Sequence, residues 1–236
     1  MMHMFKLLLL SSLCVTMSTT VDLQKRITGG QTCGQNERRY HVKVSGFADG
    51  AFSCGGSLIS DQWILTAAHC KFPDMYAVLG VHSGTITIEK ITEPPVIFKD
   101  KDDNNNDRTH DLMLLKLPSP TKIKPVGLPD CKSIQITCTW NTLQCLDMEV
   151  VDCQNLQNSQ NQASYQHLFC AKTPKVDISK GDIGGGVVYK DRIYSVITFS
   201  GANKHASVEP IVFMNICHEP FLKWITEKTK TVKENN

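Results

Sequence analysis

Ten cysteines in 236 residues constrain this chain more than any other feature. Cys14 falls in a leader-like segment, which leaves nine, at positions 33, 54, 70, 131, 138, 145, 153, 170 and 217. They stand singly, with no C-x-x-C and no H-x-x-x-H spacing, which argues against structural zinc and for a disulfide framework. An odd count leaves one thiol without an intrachain partner. Such frameworks persist in oxidising compartments, and the N-terminus agrees. Lys6 precedes the apolar run Leu7–Val15, and Thr16-Met17-Ser18 follows as a small-residue cleavage site, so residues 1–18 read as a secretory signal and the protein as extracellular. The apolar run is shorter than the roughly 20 residues a spanning helix needs, so no membrane partner is expected. Residues 1–26 hold Lys6, Lys25 and Arg26 against Asp22; beyond them basic and acidic residues are equal in number. That balance offers nothing to nucleic acid.

Between the cysteines the chain reads as short strands. Tyr40–Gly46 and Ala51–Ile59 are bounded by Gly, Asp and Ser. Thr85-Ile-Thr-Ile-Glu89 alternates with a period of two and is expected to be a half-buried strand. The acidic run Asp100–Asp107 lacks the turn glycine and closing glutamate of a calcium loop and is expected to be a solvated surface loop. Prolines at 118, 120, 125 and 129 mark a crossover between two lobes, about 27–120 and 121–217. Pro220–Lys228 reads as part of a short amphipathic helix, about 219–229.

Four stretches carry the chemistry. Cys54-Gly-Gly-Ser-Leu-Ile-Ser60 leads into Trp63-Ile-Leu-Thr-Ala-Ala-His-Cys70; His110-Asp-Leu-Met-Leu-Leu-Lys-Leu117 follows; then comes Gly181-Asp-Ile-Gly-Gly-Gly186. The fourth, Arg26-Ile-Thr-Gly-Gly30, joins a basic residue to an apolar one. Together they resemble the chymotrypsin/trypsin family of serine proteases over roughly residues 26–227. The resemblance implies an all-β fold of two Greek-key six-stranded barrels with a short C-terminal helix. It makes His69 the general base and Asp111 the acid that orients it. Gly181 and residue 183 would offer backbone N–H groups to an oxyanion. Residues 19–26 would be an activation propeptide, cleaved after Arg26, and the new amine of Ile27 would pair with Asp182 in a zymogen-style activation of the 27–236 domain.

The family pattern at the third motif is G-D-S-G-G-P, and Ile183 stands here in place of the serine. Isoleucine has no lone pair and no proton to give, so the base has no nucleophile to activate. Ser179, Ser195 and Thr198 are not expected to substitute, because none leaves a strained turn ahead of the base. The specificity region is mixed. Asp177 reads equally as the acid that receives a substrate Lys or Arg and as a solvent-facing loop aspartate. Ile211 stands where glycine normally leaves room, Thr198 lies on the flanking strand, and Phe199 replaces the usual tryptophan. The resemblance pairs Cys33 with Cys145, Cys54 with Cys70, Cys131 with Cys217 and Cys153 with Cys170. It leaves Cys138 unpaired, with Tyr189 at its partner's position. The family's calcium loop is short here, so no metal and no other cofactor is expected. The expectation is a secreted, inactive protease homologue that binds a protein partner, a protease inhibitor or a substrate, as a monomer or as a dimer bridged by Cys138. The alternative is an active endopeptidase cleaving after Lys or Arg.

Overall fold

Period-two alternation becomes two curled antiparallel sheets. The computed structural model describes residues 27–28, 37–51, 53–82, 85–131, 140–141, 147–151, 153, 164–172, 177–178, 180–200 and 210–230; for 27–28, 140–141, 147–149, 164, 177–178, 180 and 199–200 only the backbone is described. A first short strand, β1 (Ile27–Thr28), stands apart. The first sheet holds β2 (His41–Ser45), β3 (Ser53–Leu58), β4 (Trp63–Thr66), β5 (Tyr76–Leu79), β6 (Thr87–Lys90), β7 (Val96–Lys101) and β8 (Asp107–Lys116). Its order is β6-β5-β2-β3-β4-β8-β7. The end strands β6 and β7 are joined by residues 91–95 alone, and five residues span no more than about 20 Å. The sheet therefore curls until its ends approach. Pro94 and Pro95 supply no N–H to a ladder, which accounts for a break there and for seven strand segments where six strands were expected.

The second sheet holds β9 (Trp140–Asn141), β10 (Asp147–Val151), β11 (Leu168–Lys172), β13 (Gly186–Tyr189), β14 (Arg192–Ser200) and β15 (Ile211–Asn215), with β12 (Asp177–Ile178) outside it. The order is β13-β14-β15-β11-β10-β9, and β9 lies against β13, closing the second barrel. The two-residue β12 pairs instead with β1, Ile27 opposite Ile178 and Thr28 opposite Asp177. Among the described residues the fold is all-β apart from short 3-10 turns and one helix, α1 (Glu219–Thr229). Pro220 sits in its first turn, where a missing N–H costs nothing, and Phe221 and Ile225 are its buried face.

The first core runs through β2–β5, β7 and β8 and takes in Val188, Ile193, Val196 and Met214 of the second sheet with Phe221 and Ile225 of α1. Leu112, Met113, Leu114 and Leu115 are all buried, so both faces of β8 are covered and its sequence reads as a continuous apolar run. A second cluster of Ala171, Val187, Tyr194, Ile197, Ile211 and Phe213 fills the other barrel.

One expectation changes, and a second gains detail. β6 is mostly solvent-facing rather than half-buried, with Ile88 45% exposed and Ile86, just before the strand, 63%, because it pairs only with β5 at the sheet's end. Of the acidic run, 102–106 form a solvated turn and only Asp100, Lys101 and Asp107 are strand. Asp100 pairs across β7–β8 with Arg108, and Lys101 with Asp107, leaving 102–106 as the turn. There Asp102 accepts from the backbone N–H groups of Asn104 and Asn106.

Candidate active site

The site begins where β4 ends. A single 3-10 turn, Ala68–Cys70, follows the strand, and the bond between Cys54 and Cys70 ties that turn to β3. This presents His69 beside Asp111, which stands in the middle of β8. The backbone N–H of His69 donates to Asp111 Oδ1 at 2.9 Å, and Nδ1 lies 2.7 Å from Oδ2. An ionised carboxylate can only accept, so Nδ1 donates to it, and in the neutral imidazole the lone pair lies on Nε2. The His69 side chain is 46% exposed and Asp111 25%. Asp111 is braced from the second sheet's side: its N–H donates to Gln166 Oε1 (3.3 Å), and Gln166 Nε2 donates to Thr109 O (3.1 Å). Gln166 carries no motif signal, and sequence reasoning passed over it.

Ile183 follows the 3-10 turn Lys180–Asp182 that contains Gly181 and Asp182. Its carbonyl accepts from Gly55 N–H of β3 at 2.6 Å. The sulfur of Cys70 lies 3.9 Å from both this carbonyl oxygen and His69 Nε2, so residue 183 and the imidazole share one small neighbourhood. The rest of the loop is fixed by Gly184 N–H to Ile197 O (2.7 Å) and Gly185 N–H to Asp182 O (2.9 Å). Such close approach requires glycine on both sides. A Cβ on Gly55 would stand 2.8 Å from Gly185 N, and one on Gly184 (φ +86°) would overlap Gly55 O and the Thr66 hydroxyl. The Ile183 side chain is half-buried and packs against the first core. No hydroxyl stands at this position.

These elements match a known arrangement. The sequence profile of the family described as Trypsin matches residues 27–225. The chain belongs to the trypsin family. Rat Trypsin-4 is 32% identical over 237 residues, covering 88% of this chain and 91% of that protein. Human Kallikrein-14 is 28% identical, covering 92% and 90%. Among solved structures, Kallikrein-related peptidase 10 superposes with a TM-score of 0.64 at 21% identity, over 85% of this chain and 99% of that one. At that identity the likeness speaks to the fold.

Around this trypsin-family centre the residues expected to shape specificity divide. Asp177 is placed in β12, opposite Thr28. Thr198 is buried and its hydroxyl donates to Val212 O at 3.1 Å. Phe199 is a β14 position paired with Val212. Ile211 is fully buried with Ala171, Val187, Ile197 and Phe213. It fills volume within the second barrel. Of the residues expected to serve activation, Ile27 lies in β1, Asp182 in the turn before Ile183, and Arg26 outside the described residues. Disulfides join Cys54 to Cys70, Cys131 to Cys217 and Cys153 to Cys170. Cys33, Cys138 and Cys145 lie outside the described residues. Tyr189 closes β13 opposite Arg192. Among the described residues, the one trio of metal-type donors is Cys54, His69 and Cys70. Its two sulfurs are bonded to each other, so it is not a metal site.

Proposed function

We propose that this chain is a secreted trypsin-family protein that holds protein ligands at its His69–Asp111 site without cleaving them. Ile183 carries the reading. Loss of a triad nucleophile costs on the order of a millionfold in turnover, since base, orienter and oxyanion donors together leave only a small residue of catalysis. The relatives named trypsins and kallikreins support a protein, or a protease inhibitor, as the ligand class. The disulfides support an oxidising compartment. In this reading residues 1–18 are a signal, residues 19–26 a propeptide, and the protein is a monomer unless Cys138 bridges two copies.

The oriented His69–Asp111 pair, with Nδ1 2.7 Å from the carboxylate, favours a second reading, an active endopeptidase that finds another hydroxyl. The experiment compares intact chain with chain cleaved after Arg26, using a fluorophosphonate probe and Lys/Arg ester substrates. Neither labelling nor turnover is expected in either form. Saturable hydrolysis that disappears in His69→Ala overturns the binding-only reading.

A further inference from the structure

Three histidines meet on the far side of Asp111. His110 of β8 is fully buried, boxed edge-on by Phe98, Tyr165 and Phe221 at centroid distances of 5.0, 5.2 and 5.1 Å. Its Nε2 lies 3.1 Å from Asp100 Oδ1, off the line of a hydrogen bond, so neither ring nitrogen has a well-formed partner. His167, at the end of the 164–167 turn, stacks face to face on His218, the residue that caps α1 (centroids 3.4 Å, planes 15° apart). Both rings also meet Phe221 edge-on. The same turn supplies Gln166, the brace on Asp111.

We propose that His110, His167 and His218 form a proton-operated latch. Uncharged, they clamp the 164–167 turn between β8 and α1; on acidification the latch opens and withdraws Gln166 from Asp111. The weak joint is the stack. Two protonated imidazoles this close repel, and charge on His218 is further opposed by the positive end of the α1 dipole. Burial, then the charges of His167 and His110, holds His218 below the ordinary histidine value; burial likewise lowers His110, outweighing its Asp100 contact. Both are depressions, so the unfolded chain binds more protons at these sites. The stability they contribute is complete above about pH 6.5 and is lost as pH falls towards the lowered folded values.

The other charged groups facing the cluster are Asp100 of β7, Arg108 of β8 and Glu219 of α1. Arg108, above all, holds Asp100 below the usual carboxylate value, so Asp100 stays ionised while the histidines titrate. Tyr165 packs on Arg108. The latch is independent of whether His69 ever serves catalysis.

The test is amide hydrogen exchange on the whole secreted chain at pH 7.5 and pH 5.0, each corrected for intrinsic rate. Protection of segments 108–112 and 164–169 is expected to fall severalfold at pH 5.0, while β2–β5 hold. His167→Asn and His218→Asn should abolish that step. Asparagine tolerates the positive φ of His167 (51°) and caps helices well at 218, so both variants suit the fold. Equal protection at the two pH values, or a step that survives in both variants, overturns the latch. If a variant does not fold, histidine NMR of the unchanged protein decides. His218 titrating at or above free histidine, or a Gln166 amide indifferent to that titration, refutes it.

Discussion

Gly184→Ala tests how the loop bearing Ile183 is held against the first barrel. The new Cβ would enter a left-handed backbone (φ +86°) and overlap Gly55 O and Thr66 Oγ1, with Cys70 Sγ 3.3 Å away. Those two oxygens cannot easily yield, because Thr66 Oγ1 already donates to Gly55 O at 2.8 Å in a buried hydrogen bond. Left-handed backbone costs an alanine about 1–2 kcal/mol, and overpacking adds about 1–3 kcal/mol. For a chain of this size the sum lowers Tm by roughly 4–20 °C. Gly50→Ala separates the two terms. It has a similar φ (+76°), but its nearest neighbour is Val78 Cγ2 at 3.5 Å. The backbone term alone then lowers Tm by roughly 2–8 °C. The assay is thermal and urea unfolding at pH 7.5, with exchange of the Gly55 amide as a local reporter of its bond to Ile183. The overlap argument fails if Gly184→Ala costs no more than Gly50→Ala.

Ile183→Ser alone is expected to stay near background on a Lys/Arg peptide after cleavage at Arg26, since misplacement by about 1 Å can cost a hundredfold. Ile183→Ser/Ile211→Gly should be measurably faster but less stable, because Ile211 is fully buried; ordinary trypsin-like efficiency in the single variant would contradict this. Replacing Cys131 and Cys217 by alanine opens a closure spanning 86 residues, worth about 4–5 kcal/mol by chain entropy, and calorimetry should show Tm lower by roughly 10 °C or more. Thiol counting on unfolded, unreduced protein should find one reactive cysteine per chain, or none together with a covalent dimer; a monomer with neither a thiol nor an adduct refutes the pairing scheme.

His69 and Asp111 were legible because each sits in a run whose every residue has a place: β4 and its turn for one, the buried stretch of β8 for the other. The fold was legible for the same reason. Gln166, His167 and His218 were not, since what joins them to Asp111 and His110 is a tertiary meeting of segments with no shared period. β6 misled because alternation reports that one face differs from the other, not that either face is covered. The acidic run was legible as a surface turn, but composition could not show that Arg108 and Lys101 stand opposite Asp100 and Asp107 at its ends.

The pairing of β1 with β12 has a consequence for the bond between Arg26 and Ile27. A protease must grip an extended stretch of backbone on both sides of the bond it cuts. Ile27 and Thr28, the two residues just beyond this bond, are instead occupied by Ile178 and Asp177. In the proposed reading, with cleavage after Arg26, they have to leave β12 before an activating enzyme can engage them. The speed of cutting would then scale with the fraction of time this two-residue ladder is parted as well as with the protease's own turnover at arginine. A change in the 177–178 segment, some 150 positions away in sequence, would set the rate at which the N-terminus is trimmed.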